Sequence, residues 1–192
     1  MALTLQKRKR IPALPWCIAG CAALLIFLYC CRSEVRDWTV DDTRYREEIR
    51  HYAEKHGLDP QLVRAVVFQE SRFNPKCRGS KGEVGLMQVL PKGAVADYTA
   101  FHKVKGYSRR SLENPKLNLE IGCWYLGRAF RRWQGYPDQI ALALSQYNAG
   151  ERRAAKWAAD KRSPEEYPIK STRFYVKKIL KRYRQYLKEQ QK

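Results

Sequence analysis

Apolar side chains recur at helical spacing along most of this chain after residue 43. The longest such segment opens at Asn114-Pro115 and stops by Gly135, and a proline near the start with a glycine past the end is typical of helix boundaries. Its apolar row consists of Leu119, Gly122, Leu126, Phe130 and Trp133. No convincing strand pattern interrupts the helical segments. The pattern therefore predicts an all-α, or mainly α, domain.

Shorter helical segments lie on both sides of this long one. The first segment before it has the apolar stripe Tyr45, Ile49, Tyr52 and Ala53 and ends at Gly57. A helix from Pro60 to Ser71 comes next, and a short helix begins near Pro91. A basic loop, Lys103 to Arg110, follows that short helix. Those after it are a helix opened by Pro137 that runs into Asn148-Ala149-Gly150, an Ala-rich helix through Trp157, and a last helix from Ser171 with the row Tyr175, Ile179, Tyr183 and Tyr186 or Leu187. The other face of the last helix is rich in Lys and Arg.

The helix predicted from Pro60 to Ser71 carries a carboxylate in its apolar row. Glu70 follows four residues after Val66 and three after Val67, so it shares their face. Burial disfavours the ionised form of a carboxyl, and so does the negative end of the helix dipole, and both effects raise its pKa. A carboxyl that stays protonated near neutral pH suits general acid catalysis. The alternative is an ordinary glutamate that reaches water at the end of its helix.

The surroundings of Glu70 favour a functional site. Asp59 and Pro60 mark a well-defined helix start. Beyond Glu70 lies a glycine-rich turn, residues 79–85, and glycine permits close approach of the backbone to a ligand.

The chain is strongly basic, with 38 Lys and Arg against 19 Asp and Glu. Without the cluster Lys7 to Arg10, 34 basic residues remain against the same 19 acidic ones, so the excess belongs to the folded part. The electric field of such a positively charged domain favours binding of a polyanion, which could be a nucleic acid, an anionic membrane surface or an acidic glycan of a cell envelope.

The amino-terminal segment has the composition of a membrane anchor. Residues 11–31 carry no charge, and the basic residues before them predict that residues 1–10 stay cytoplasmic while the rest is exported. We expect a linker over residues 32–42 and a catalytic domain over 43–192. Two alternatives stay open: a cleaved signal peptide and a lipoprotein signal ending at Cys21, although the apolar run continues beyond that cysteine.

Only Cys77 and Cys123 lie outside the apolar segment, and their spacing matches no metal site. In an extracytoplasmic domain they either form a disulfide or remain two free thiols.

Five short motifs follow one another along the chain: Gln69-Glu70-Ser71-Arg72-Phe73-Asn74-Pro75, Gly85-Leu86-Met87-Gln88 before Pro91, Asn114-Pro115 with Asn118-Leu119 and Gly122 before Tyr125-Leu126, Tyr147-Asn148-Ala149-Gly150, and Thr172-Arg173-Phe174-Tyr175-Val176. In this order they resemble the lysozyme-like lytic transglycosylases of the soluble lytic transglycosylase (SLT) type. Together they cover the chain from about residue 43 to 187.

The resemblance implies an α-helical lysozyme-like fold that cleaves peptidoglycan glycan strands without a cofactor or a metal. By it Glu70 is the single catalytic acid and base, and the substrate-binding residues are Met87, Gln88, Tyr147, Asn148, Arg173 and Tyr175. Met87 and Gln88 correspond to the wall of the glycan groove, while Arg173 and Tyr175 belong to a motif that helps to close the cleft. It implies a bacterial protein whose domain faces the periplasm and cell wall, and with the predicted anchor this gives a single-pass protein of the inner membrane.

This sequence departs from the family pattern at several positions. Glu83 stands where a small residue is usual, Gly79 where a serine is usual, Gln146 where alanine is usual and Ser171 where glutamate is usual. Glu83 and Asp97 are the candidates for the second carboxylate that a conventional glycosidase needs.

Two other functions stay open at this stage. The resemblance implies cleavage of the β-1,4 bond between N-acetylmuramic acid and N-acetylglucosamine with formation of 1,6-anhydro ends. A lysozyme or chitin hydrolase on the same fold would leave reducing ends instead. A membrane-tethered module could bind nucleic acid or glycan through the basic last helix, although such a helix face is more simply a solvated surface, and we expect no specific nucleic-acid partner. Protein partners are not predicted.

Overall fold

The computed structural model describes residues 40–191. Its α-helices within that range are α1 (Arg46–Lys55), α2 (Pro60–Ser71), α3 (Ala96–His102), α4 (Pro115–Arg132), α5 (Gln139–Ala149), α6 (Glu151–Ala159) and α7 (Lys170–Gln190). Short helical turns lie at Pro91–Val95, Ser111–Glu113 and Pro164–Glu166. The described residues form no β-strand beyond isolated bridges that pair Val84 with Arg78 and Val89. The mainly α prediction is confirmed.

Side-chain caps fix where the two central helices begin. The Asp59 carboxylate accepts a hydrogen bond from the Gln61 amide at 2.7 Å, at the start of α2. Its second oxygen accepts one from the Tyr183 hydroxyl of α7 at 2.7 Å, so the cap also joins α2 to α7. At the start of α4 the Asn114 side chain accepts from the Lys116 amide at 3.0 Å. These caps confirm the helix starts that the sequence indicates.

The apolar rows predicted from the sequence form the core. Helix α2 packs against α1 and α7, while α5 packs against α4, α6 and α7. The buried positions of α2 and α4 include Leu62, Val63, Val66, Val67, Leu119 and Leu126. Because burial of each such side chain contributes about 1.5–3 kcal/mol, this packing holds α2 firmly against α7.

The chain between α2 and α3 is irregular and is organised by one buried side chain. Asn118 of α4 donates from its amide nitrogen to the carbonyl oxygens of Val84 and Leu112, each at 2.8 Å, and accepts from the Met87 amide at 2.8 Å. Gly85 has a positive φ of 82°, and a Cβ there would lie 2.2 Å from the Asn118 amide nitrogen. Only glycine therefore fits this close approach.

Three further sequence predictions concern the helix near Pro91, the two cysteines of the domain and the membrane anchor. The helix expected near Pro91 becomes regular only at Ala96, because Gly93 and its neighbour Lys92 have non-helical torsions. Cys77 and Cys123 are both free, so the disulfide alternative is wrong in this structure. The anchor predicted at residues 11–31 lies outside the described residues, and none of the helices in the described part of the chain combines the length and hydropathy that a bilayer crossing requires.

Candidate active site

Glu70 lies in the last turn of α2, where that helix meets α7. The Tyr175 hydroxyl of α7 donates a hydrogen bond to Glu70 Oε1 at 2.7 Å. Glu70 Oε2 accepts no hydrogen bond from the residues that the structure describes, and the side chain retains some exposed surface. One carboxyl oxygen is thus held by the protein and the other is left for a ligand.

The environment of Glu70 raises its pKa from 4.5 to about 7. Burial is the largest cause, and the negative charge of Glu83 raises the pKa further, while the hydrogen bond from Tyr175 lowers it. Near neutral pH about half of the Glu70 carboxyls are therefore protonated, and the group can donate a proton or accept one. This is the electrostatic behaviour expected of a combined general acid and base.

The two candidates for a second carboxylate occupy different positions. Asp97 forms an ion pair with Arg128 at 3.3 Å on the surface. Glu83 lies in the glycine-rich turn, where its carboxylate accepts a hydrogen bond from the Lys81 amide at 2.8 Å, and its charge acts on Glu70. Glu83 is therefore the second carboxylate that belongs to the surroundings of Glu70.

Hydrogen bonds attach the turn after α2 to the elements around Glu70. Ser71, next to Glu70, donates from its hydroxyl to the Leu86 carbonyl at 2.8 Å. The Tyr147 hydroxyl of α5 donates to the Met87 carbonyl at 2.7 Å. Burial, followed by the Glu70 charge, raises the pKa of Tyr147 and of Tyr175 well above 10, so both phenols remain hydrogen-bond donors.

Met87 and Gln88 lie in the turn after α2, and the buried side chain of Met87 departs from the groove position that the resemblance implies. The Met87 side chain is fully buried against α4, where Gly122 leaves room for it: a Cβ at Gly122 would lie 2.4 Å from the Met87 sulfur. Gln88 has a positive φ of 47°. Its side-chain nitrogen Nε2 donates hydrogen bonds to the Cys77 and Gly85 carbonyl oxygens at 3.0 Å each. Met87 therefore reaches the site with its carbonyl oxygen, and Gln88 stabilises the turn.

The remaining predicted residues lie on α5 and α7. Asn148 is exposed, and its side-chain oxygen accepts a hydrogen bond from the Thr172 hydroxyl at 2.8 Å. Arg173 donates to the carbonyl oxygen of Glu165 at 3.3 Å and lines a groove beside Phe174, on a different face of α7 from Tyr175. The structure thus brings Glu70, Tyr147 and Tyr175 together. The substrate contacts predicted for Gln88, Tyr147, Asn148, Arg173 and Tyr175 stay predictions.

One organising residue was not identified from the sequence. Asn118 was only part of a motif, and its organising role depends on contacts with the distant turn. Glu83 was a candidate for a second carboxylate, but its effect on the pKa of Glu70 depends on the fold of that turn. In the described part of the chain no three His, Cys, Asp or Glu side chains are grouped as a metal site would require.

Comparisons with known proteins agree on one family. The profile of the Transglycosylase SLT domain matches residues 47–170. The soluble lytic murein transglycosylase of Escherichia coli K12 is 28% identical over 144 residues, covering 71% of this chain and 22% of that protein. The membrane-bound lytic murein transglycosylase C of Actinobacillus pleuropneumoniae serotype 5b is 29% identical over 167 residues, covering 75% of this chain and 46% of that protein. The chain therefore spans less than half the length of these relatives.

Solved structures show the same fold. An inactive glutamate-to-glutamine mutant of the lytic transglycosylase Slt from Pseudomonas aeruginosa superposes with a TM-score of 0.66 at 28% identity, over 76% of this chain and 25% of that one. The 70 kDa soluble lytic transglycosylase from Escherichia coli gives a TM-score of 0.65 at 27% identity, over the same 76% of this chain and 25% of its own. With its profile match covering well over half of its residues, this chain belongs to the transglycosylase SLT domain family.

Proposed function

We propose that this protein is a peptidoglycan lytic transglycosylase that cleaves the β-1,4 bond between N-acetylmuramic acid and N-acetylglucosamine. The observation that carries the proposal is the Glu70 carboxyl, which has a pKa of about 7, one oxygen bonded to Tyr175 and the other without a protein partner. Family membership and the names of the relatives support the substrate class. That a glutamate-to-glutamine mutant of the Pseudomonas aeruginosa relative is inactive supports a glutamate in the catalytic role.

The first step needs Glu70 in its protonated form. Its proton passes to the glycosidic oxygen as the bond to C1 of the muramic residue breaks, and the acetamido group of the same sugar stabilises the developing positive charge at C1. The leaving glycan departs with a free hydroxyl, and Glu70 becomes a carboxylate. Burial opposes that charge, and the Tyr175 hydroxyl offsets part of the cost by donating to Oε1.

The second step returns the proton to Glu70. The carboxylate removes the proton of the muramic 6-hydroxyl, whose oxygen then attacks C1 and closes a 1,6-anhydro ring. No water is consumed, and the enzyme recovers its starting protonation state. One carboxyl can serve both steps because a pKa near the working pH makes both directions of proton transfer accessible.

A second candidate function, a hydrolase on the same fold, is favoured by one observation: the Glu83 charge acts on Glu70, as a second carboxylate near a glycosidase acid would. The two functions differ in their products. A hydrolase leaves a reducing end, whereas the transglycosylase leaves an anhydro end that is lighter by one water.

The test is digestion of purified murein by the full-length chain, followed by mass spectrometry of the released muropeptides. We expect anhydro ends from the wild type, and reducing ends alone would establish the hydrolase. Glu70→Gln abolishes release while murein binding is retained. The matched control Glu54→Gln replaces an exposed glutamate of α1 and keeps full activity. Retained activity in Glu70→Gln would show that another group is the acid.

We also propose that residues 11–31 anchor the protein in the bacterial inner membrane, with the domain on the periplasmic side. The uncharged run supports this proposal, and so does a relative named as membrane-bound. In fractionated cells we expect the intact chain in the inner membrane. A mature protein shortened by signal cleavage, or one carrying lipid on Cys21, would contradict the single-pass anchor.

A further inference from the structure

Helix α7 borders a grooved surface whose lining does not include Glu70. Two neighbouring cavities of about 510 and 470 Å³ share the lining residues Pro164, Glu165, Leu180 and Arg184, and the surface that they form together is here named the α7 groove. Tyr175 is buried and reaches Glu70, whereas its neighbour Phe174 is exposed and lines the groove. Glu70, Tyr147 and Tyr175 do not line the groove, and Arg173 is the one predicted site residue that does.

The α7 groove carries one exposed aromatic residue in each of its two cavities, together with aliphatic lining residues that are here called its aliphatic floor. Phe174 is 53% exposed and Tyr136 is 47% exposed, and they are two of the four large apolar side chains that are exposed among the described residues. The aliphatic lining residues are Pro164 and Leu180, which line both cavities, and Ile140, which lines the cavity of Tyr136. Exposed aromatic groups around a concave apolar surface are typical of a surface that a partner covers.

The rim of the α7 groove is cationic. Lys177, Lys181 and Arg184 follow one another along α7, and no carboxylate of the described residues lies within the 4.0 Å of an ion pair with any of them. The acidic groups facing the groove are Glu165 and Asp138, from the segments packed against α7. The positive charge of the rim exceeds the negative charge opposite it, so an acidic occupant is complementary.

We propose that the α7 groove binds an acidic segment of another protein, with its apolar side chains on the aliphatic floor and its carboxylates on the cationic rim. From Phe174 to Arg184 the helix rises about 15 Å, which corresponds to roughly five residues of extended peptide. An aliphatic, recessed floor suits peptide side chains better than it suits a flat membrane surface or a polar polymer. The proposal does not depend on the proposed function, because Glu70 and its hydrogen-bond partner Tyr175 do not line the groove.

The experiment measures binding of labelled synthetic peptides to the full-length chain in non-ionic detergent by fluorescence anisotropy. The acidic probe has the sequence Glu-Leu-Glu-Phe-Glu-Leu-Glu-Glu, and the charge-only probe has serine in place of its Leu and Phe residues. We expect saturable micromolar binding of the acidic probe and at least tenfold weaker binding of the charge-only probe. No saturation of the acidic probe up to about 1 mM, or equal binding of the two probes, overturns the proposal.

Variants locate the binding. Lys177→Glu combined with Lys181→Glu is expected to weaken binding of the acidic probe at least tenfold, and Phe174→Ser at least threefold. The matched control reverses two exposed charges of the distant basic loop, Lys103→Glu with Lys105→Glu, and changes affinity less than twofold. Equal loss in the control would mean attraction by the overall positive charge and would overturn the groove as the site. Unfolding temperatures close to the wild type establish that the variants are folded.

Discussion

Removal of one hydroxyl, in Tyr175→Phe, is expected to move the pH dependence of the reaction upwards. The hydroxyl donates to Glu70 Oε1 at 2.7 Å and lowers the pKa of that carboxyl, which is about 7 with the hydrogen bond in place. The phenyl ring keeps the buried packing, so the change isolates the hydrogen bond. Without it the carboxylate is less stable and holds its proton to higher pH.

The size of the shift follows from the strength of such a bond. A hydrogen bond to a charged group contributes about 1.5–3 kcal/mol, and one pKa unit corresponds to about 1.4 kcal/mol. Because the protonated carboxyl also keeps part of its interaction with the hydroxyl, we expect a rise of about one unit, to ~8. At pH 8 about half of the variant carboxyls are then protonated, compared with about a tenth of those of the wild type.

The assay is the pH profile of kcat/KM on soluble murein glycan strands, which reports the pKa of the free enzyme. The ratio of kcat/KM at pH 8 to that at pH 6 is expected to be about five times larger in Tyr175→Phe than in the wild type. This ratio does not depend on any uniform loss of rate through poorer positioning. An unchanged ratio, or a shift to lower pH, would refute the assignment of Glu70 as the titrating acid.

Three further predictions concern the same site. Glu83→Gln removes a negative charge that raises the pKa of Glu70, so we expect the alkaline limb of the pH profile of kcat/KM to move to lower pH. In the control Asp97→Asn the alkaline limb is expected to stay in place. Because the folded state raises the pKa of Glu70 from 4.5 to about 7, stability falls as pH rises through that window, and Glu70→Gln abolishes this loss. In urea unfolding we expect that variant to be about 3 kcal/mol more stable than the wild type at pH 8 and similar at pH 4, and a difference independent of pH would contradict this. Gly85→Ala forces a Cβ to within 2.2 Å of the Asn118 amide nitrogen, so we expect it to cost about 3 kcal/mol or more in the same assay, and a cost below about 1 kcal/mol would show that the turn tolerates a side chain.

Local patterns were enough to predict the helices and the position of Glu70. The cap at Asp59 and the helical spacing of the apolar residues act over a few positions, so they are visible in the sequence and the structure confirms them. The irregular turn at Gly93 was missed because its torsions depend on how the segment packs, not on the local residue pattern.

Contacts between distant parts of the chain could not be predicted from spacing. Tyr175 lies 105 residues after Glu70, and only family resemblance placed it near the cleft, without indicating the hydrogen bond itself. Met87 shows that a motif position can also suggest a contact that the side chain does not make. The motif implies a residue of the glycan groove, but the Met87 side chain is buried against Gly122. Side-chain direction in an irregular turn is set by tertiary packing, which no local pattern encodes.

The central claim is that one carboxyl remains largely protonated until neutral pH. A carbon-13 NMR titration of the side-chain carboxyls measures this directly, and the Glu70 resonance is identified by its absence in Glu70→Gln. The account predicts a midpoint of about 7 for that resonance. A midpoint close to the ordinary 4.5 of a glutamate would contradict it, because the carboxyl would then lack the proton that the first step requires.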